Sequence, residues 1–491
     1  FSRVFCDFGD NFQVLDKTGE EYQDMILKSI SNDNLGLVTL IDGTKHNLQD
    51  GDEVMISQVV ENPADSAKKS INGTQHKVKV VDKGSFYIGD TTVFKRYMHN
   101  GIVKQLKQTE TLNFKPLSQL ANKFKTLPPF DQTISSSDWN FIPRVVPLHV
   151  AFQRLDWFVG RYGRLPYAWS DNDANIFTEE VMNELFIQFP DQWNEIQASE
   201  DSRNLMSKIV QTFSYTCSGV FPPLAAFIGG VAAQEVIKAI TKKYMPINQY
   251  FYYETSEVIS SLDAAQIKHE IQSMKQDRDL AFRMCVGDTL LAKLAASRLF
   301  MVGAGAIGCE LLKNFAMIGF GTSKEKGKEG RIYLTDPDVI ENSNLNRQFL
   351  FREKHIRKPK STTAAAVAVS MNSKLKGNIK PLVEKVTEQN EYLFSNNFFE
   401  SLDVVANALD NVNARKYVDS RCVRAQKPLL ESGTLGPKGH VQVIIPFKTE
   451  SYGSQQDPQE DNGDIPYCTL KMFPEETLHC VEWARDKFNK M

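Results

Sequence analysis

The chain is 491 residues long, 42% hydrophobic and 24% charged, with a formal net charge of -3. That length exceeds what one hydrophobic core ordinarily serves, so three or more domains are expected, and the near-neutral balance excludes the broad cationic field that binds nucleic acid or acidic membranes. Seven cysteines, Cys6, Cys217, Cys285, Cys309, Cys422, Cys468 and Cys480, form no CxxC pair, which argues against a disulfide framework and the usual zinc spacing and fits a reducing compartment.

From residue 8 to 112, short apolar runs alternate with turn signals at Lys17-Thr18-Gly19, Asp42-Gly43, Asp50-Gly51 and Lys83-Gly84. Leu37 to Ile41, Val54 to Ile56, Val78 to Val81 and Phe86 to Ile88 read as strands of a small β-rich module, with Asn62 to Gly73 as a polar surface loop. Between 113 and 215 the period changes. Phe177, Val181, Met182, Leu185, Phe186 and Phe189 fall on one helical face, and Phe152, Leu155 and Phe158 do the same, predicting a helical bundle. The longest apolar stretch, Phe221 to Ile240, contains Gln234, Glu235 and Lys238, and reads as a packed amphipathic helix rather than a membrane span. Tyr250 to Tyr253 follows as a strand, and Asp263 to Arg278 as a polar, charged segment.

The third regime is α/β. Arg298 to Val302 is a strand feeding Gly303-Ala304-Gly305-Ala306-Ile307-Gly308, and Cys309 to Ile318 continues as a helix. Ile332 to Leu334, Asp403 to Ala408 and Val441 to Ile445 supply further strands, so a mostly parallel sheet covered on both faces is expected, with Thr322 to Gly330 as a solvated insertion. The chain begins without Met and ends in a charged, helical stretch from Trp483 to Met491. It is read as an internal fragment of something longer. No signal peptide is visible.

The glycine turn is a weak signal alone. Here it follows a strand and opens a helix, so backbone N–H groups and the helix dipole can face phosphate. Asp336, at the end of the next strand, is placed to accept ribose hydroxyls, although it lies farther from Gly308 than the usual dinucleotide spacing of about 20 residues. Arg347 and Lys360, with Asn344 and Gln348 beside Arg347, supply donors for a triphosphate crevice. Asp410 follows the apolar run from Val404 to Leu409, at the carboxyl edge of the sheet, where a carboxylate can hold Mg²⁺ while the metal keeps waters and phosphate oxygens. Cys468 sits in Ile465-Pro466-Tyr467-Cys468-Thr469-Leu470-Lys471, after a polar run that argues for exposure. Lys471 and a helix start at Pro474-Glu475-Glu476 would favour its thiolate, whereas Cys480, inside that helix, reads as structural.

Gly303 to Glu310, Ser343 to Arg352, Ala406 to Asn411, Leu430 to Gly436 and Cys468-Thr469-Leu470-Lys471 closely resemble the ubiquitin-activating enzymes. The resemblance covers nearly the whole chain. It implies an α/β multidomain protein with a Rossmann-like, ThiF-type adenylation domain, a small β-rich module and a helical bundle. The implied order is a remnant of an inactive adenylation domain (1–7), the first catalytic-cysteine half-domain (8–112), the bundle (113–215), the end of the inactive domain (216–262), the active adenylation domain (263–445) and a crossover into the second cysteine half-domain (446–491).

It further implies ATP and Mg²⁺ as cofactors. The ubiquitin C-terminal carboxylate would attack the α-phosphate, and Cys468 would then take the acyl group as a thioester for delivery to a ubiquitin-conjugating enzyme. By motif, Gly303, Gly305, Ala306 and Gly308 line the nucleotide, Asp336 its ribose, and Asn344, Arg347, Gln348 and Lys360 its phosphates. Lys385 and Val386 lie on the adenine side, Asp338 and Asp410 near the metal, Asn411 beside the nucleotide, and Thr469 assists Cys468. A monomer in cytoplasm and nucleus, without nucleic-acid or membrane partners, is expected. The competing readings are an activator of another ubiquitin-like modifier and, at a distance, a nicotinamide-dependent oxidoreductase, which leaves Arg347, Lys360, Asp410 and the Cys468 segment without roles.

Overall fold

Alternating β-branched and aromatic residues between turns fold as antiparallel strands. The computed structural model describes residues 1–19, 22, 24–41, 46–117, 142–272, 275–435, 438–455, 480, 481, 483 and 484. These divide into two units: Phe1–Trp157, Glu179–Ser207 and Phe227–Glu254 form one, and Phe158–Thr178, Lys208–Ala226 and Thr255–Met491 the other.

In the first unit a seven-stranded sheet runs in the order Thr74–Lys77, Glu53–Ser57, Ile102–Gln105, Met25–Ile30, Leu37–Leu40, Ser85–Tyr87, Lys79–Asp82. Along Glu53–Ser57 every second side chain is buried, the period-2 signature of a sheet with one face on a core, and Val38, Val54, Ile56, Phe86 and Val103 fill that core. Ser2–Phe5 pairs antiparallel with Tyr250–Tyr253, so the start of the chain is stitched to a strand some 250 positions on.

The predicted bundle region contains helices Ile142–Tyr162, Asp171–Gln188, Pro190–Gln197 and Glu200–Thr216. Phe177, Val181, Leu185 and Phe189, four residues apart, are all buried. Phe186 departs from the expectation at 58% exposed, because a helix turns about 100° per residue and carries it off that stripe. The helix Pro222–Thr241 also departs: it is long and apolar enough to span a membrane by length and composition, and Val236, Ile237 and Ile240 are exposed rather than packed. Its Glu235 is nonetheless buried, pairs with Lys238 and accepts the Ile247 N–H at 2.9 Å, which ties the helix into the first unit through a charge. The polar segment after Asp263 forms a helix, Ala264–Ile271, capped by the Asp263 carboxylate.

His149, on Ile142–Tyr162, is buried against the Tyr252 hydroxyl and Gln153. Burial, reinforced by the Arg3 charge, pulls its imidazole down to about 4. The folded chain therefore binds fewer protons here than the unfolded chain between pH 6.5 and 4, so stability falls as pH drops through that window. The loss by pH 4.5 is about 2 to 3 kcal/mol. Hydrogen exchange at the amides of 250–253 should show this acid sensitivity in the unmutated protein and a much smaller one in His149→Gln; equal sensitivity in both would assign it to other groups.

In the second unit five parallel strands and one antiparallel strand form a six-stranded sheet. These are β1 (Arg298–Val302), β2 (Arg331–Thr335), β3 (Ile379–Leu382), β4 (Val404–Asn407), β5 (Leu429–Leu435) and β6 (Lys438–Ile444). Their spatial order is β3-β2-β1-β4-β5-β6, with only the β5–β6 pair antiparallel. Helices α1 (Ala306–Met317), α2 (Lys360–Met371) and α3 (Val412–Ala425) connect them. Leu299, Met301, Leu312, Ile332, Leu334 and Ala364 pack on one face, and Phe300, Val302, Phe394, Phe399, Val405 and Val418 on the other. A sheet buried on both faces explains why β1 and β4 read as continuous apolar runs rather than alternating ones. The order reverses between β1 and β4, and in such sheets ligands bind beyond the carboxyl ends of the strands at that switch.

Candidate active site

β1 ends at Val302 and the chain turns at once. Gly303 has φ +101°, and a Cβ there would lie 2.4 Å from the Ala408 carbonyl oxygen, so strand β4's exit leaves room for no side chain. A Cβ on Gly308 would meet the Gly303 oxygen at 2.3 Å, which is how α1 comes so close to the turn. Gly305 differs, since nothing lies within 4 Å of the position its Cβ would take. It caps α1, whose first intrahelical bond is Cys309 N–H to Gly305 O. The amides from Ala306 to Gly308 are left without helical acceptors, pointing their donors and the positive helix end out of the turn.

Asp336 is buried just beyond β2. One carboxylate oxygen accepts the Ala304 N–H at 2.7 Å and the other the Asp338 N–H at 2.9 Å, while burial pushes its carboxyl above the ordinary range. The residue expected to face a ribose thus also braces the glycine turn, and each oxygen keeps lone pairs for a further donor. Lys360, buried at the start of α2, donates to the exposed Asp338 carboxylate at 2.8 Å, and its N–H bonds the Asp338 carbonyl. Asn344 is buried and accepts the Glu341 N–H through its side chain, shaping the loop that carries Arg347 and Gln348. Arg347 is exposed and folds back on the Ser343 carbonyl and Asn346. Gln348 is 3% exposed, and its side-chain oxygen is buried with no hydrogen-bond partner among the described residues. Val386 belongs to the core face with Phe300 and Val302, and Lys385 beside it is exposed. Asn411 caps α3 through its carboxamide oxygen, leaving Asp410 exposed and without an ion pair among the described residues.

The donor chemistry suits Mg²⁺ bound largely through phosphates: Asp410 is an uncommitted carboxylate, Asp338 is shared with Lys360, and no group of three or more His, Cys, Asp or Glu side chains gathers among the described residues. Cys468 and Thr469 lie outside the described residues. Cys480, expected to be structural, is exposed instead.

One buried polar network leaves little trace in the sequence. Glu431 on β5 is fully buried, its Oε1 lies 3.3 Å from Arg415 Nε, and its Oε2 accepts from Asn407 at 2.7 Å. Asp419 on α3 accepts the Tyr452 and Gly453 N–H groups, pinning the chain after β6 to that helix. The available signal was a single charge, Glu431, inside the apolar start of β5.

The sheet order, the braced glycine turn and the cation at the head of α2 define an adenylation-type Rossmann domain. Residues 276–481 match the ThiF family, 33–107 the ubiquitin-activating enzyme E1 FCCH domain and 108–183 the ubiquitin-activating enzyme E1 four-helix bundle. The chain belongs to the ubiquitin-activating enzyme family. It is 42% identical to ubiquitin-like modifier-activating enzyme 6 of Homo sapiens and 41% identical to ubiquitin-like modifier-activating enzyme 1 of the same species, in each case over 99% of this chain and 43% of the relative. It is 41% identical to ubiquitin-activating enzyme E1 2 of Arabidopsis thaliana, over 99% of this chain and 42% of that protein. The chain thus spans less than half the length of these relatives. A crystal structure of E. coli MccB with MccA-N7isoASN overlaps 38% of this chain and 52% of that one at 23% identity and a TM-score of 0.33. At that score the fold assignment rests on the sheet order and the family matches.

Proposed function

We propose that the protein carrying this chain uses ATP to activate the C-terminal carboxylate of ubiquitin, and that these residues supply the nucleotide cradle and the acyl-accepting thiol. The observation that carries the reading is the braced turn: two glycines that exclude any side chain, a buried aspartate holding the Ala304 amide, and a free helix end beyond them. The amides at the start of α1, with Lys360 and Arg347, hold the triphosphate in place while the carboxylate attacks the α-phosphorus and pyrophosphate leaves. Lys360 must exchange its Asp338 partner for phosphate oxygens as the nucleotide enters. Asp410 and Asp338 would hold Mg²⁺, which would supply neutralisation of phosphate charge. The Cys468 thiolate then attacks the acyl carbon and AMP departs, leaving a thioester that a conjugating enzyme can take.

The support for ubiquitin over another modifier is the fusion of the β-rich module, bundle and adenylation domain in one chain without CxxC pairs. Relatives named for ubiquitin-like modifiers make the second candidate an activator of a different one. Full-length protein incubated with a panel of modifiers, ATP and labelled pyrophosphate should exchange label into ATP with ubiquitin. Exchange with another modifier and none with ubiquitin would transfer the assignment, and no exchange with any would remove it.

A further inference from the structure

The loop that carries Asp410 is held from beneath by groups that contact no nucleotide in the reading above. It is only four residues long, from Ala408, which presses on Gly303, to Asn411, which caps α3. Its backbone is gripped in the middle. Arg415, one turn into α3, donates from both Nε and Nη2 to the Leu409 carbonyl, with the Nε bond at 3.0 Å. The guanidinium lies over Gly433 of β5, where a Cβ would meet Nη2 at 2.4 Å, so any side chain there would push it from this position. Glu431 faces it from the fully buried side, Oε1 3.3 Å from Nε; burial pushes this carboxyl above its ordinary range and the guanidinium draws it back down. Glu431 in turn takes the Asn407 carboxamide N–H, and Ser432 donates to the Asn407 carbonyl at 2.8 Å, so the end of β4 is fastened by consecutive residues of β5.

We infer that Arg415 and Glu431 are positioning residues for the nucleotide site: by drawing the Leu409 carbonyl inward they turn the Asp410 side chain out at the carboxyl edge of the sheet and hold it there. Three separate features agree on this. The fork sets two nitrogens of one rigid plane on a single acceptor, which the one ammonium nitrogen of lysine cannot reproduce. The Glu431 carboxyl is sealed in the core, so it faces the arginine and not solvent. Asp410 itself is left exposed and unpaired among the described residues, as a carboxylate kept for a ligand would be. Asn407 adds a fourth, since its side-chain oxygen is buried without a partner, a polar cost that a purely packed strand end would avoid.

The inference rests on the nucleotide reading, and its test keeps the two apart. In the full-length protein, Arg415→Lys and Glu431→Gln are compared with the parent for MgATP binding by calorimetry, for ATP binding without Mg²⁺, for ubiquitin-dependent pyrophosphate exchange and for melting temperature. The expected result is about tenfold weaker MgATP binding, with metal-free ATP binding changed far less, in whichever variant melts like the parent. A residue that merely holds the fold would lower the melting temperature and leave the ratio of the two affinities as it was; that outcome overturns the inference. The two variants disturb opposite ends of the pair, so if one does not fold the other still decides. Failure of the unmutated protein to bind ATP would instead sink the nucleotide reading on which both stand.

Discussion

Cys468→Ala in the full-length protein is expected to abolish the reducing-agent-sensitive ubiquitin adduct, by on the order of a thousandfold or more as removal of a covalent nucleophile does, while ubiquitin-dependent pyrophosphate exchange persists. The separation follows from chemistry: adenylation breaks a phosphorus–oxygen bond and asks nothing of a thiol, whereas the second step has no acceptor without one. The remaining cysteines strengthen the case. Burial pushes the thiols of Cys6, Cys217 and Cys309 to about 12 and that of Cys285 to about 11, and raises Cys422 as well, so none supplies thiolate near neutral pH. Cys480 is the exposed thiol among the described residues and is the natural control. Cys480→Ala should keep the adduct. An adduct that survives Cys468→Ala and vanishes in Cys480→Ala would move the nucleophile twelve positions along the chain.

Much of the candidate site is legible in position, because its parts announce themselves locally. Gly303, Gly305 and Gly308 follow an apolar strand, Asp336 ends the next strand, and Asp410 follows a third, so strand ends alone collected them at one edge of the sheet. What stayed hidden is long-range. The strand-end position of Asp336 points to a ribose, and its grip on the Ala304 amide appears only when β1 and β2 lie side by side. By motif Lys360 belongs to the phosphates and Asp338 to the metal, yet they form one ion pair across 22 residues of sequence. Arg415 and Glu431 sit on α3 and β5, and nothing in either neighbourhood names the other. The exposed Phe186 and the exposed apolar face of Pro222–Thr241 fail for a related reason: periodicity reports which face is apolar, and burial depends on what the rest of the fold brings to it.

The three glycines of the turn should fail in two different ways. Gly303→Ala places a side chain at φ +101° and 2.4 Å from a backbone oxygen, and Gly308→Ala places one 2.3 Å from another; neither obstacle is a flexible side-chain tip that can swing aside. Each is expected to cost about 2 to 4 kcal/mol of stability and to take nucleotide binding with it. At Gly305 the added methyl meets nothing within 4 Å and φ is -74°, so Gly305→Ala should lose under about 1 kcal/mol, the ordinary difference between residues at a helix N-cap. Its empty space is the point. If phosphate lies against this backbone, the methyl occupies the approach and ATP affinity falls at least about tenfold in a protein that still melts like the parent. Calorimetric titration of ATP into the folded Gly305→Ala protein measures this directly. Parental affinity there would mean that the phosphates pass elsewhere, and that the turn serves only to bring α1 against β1 and β4.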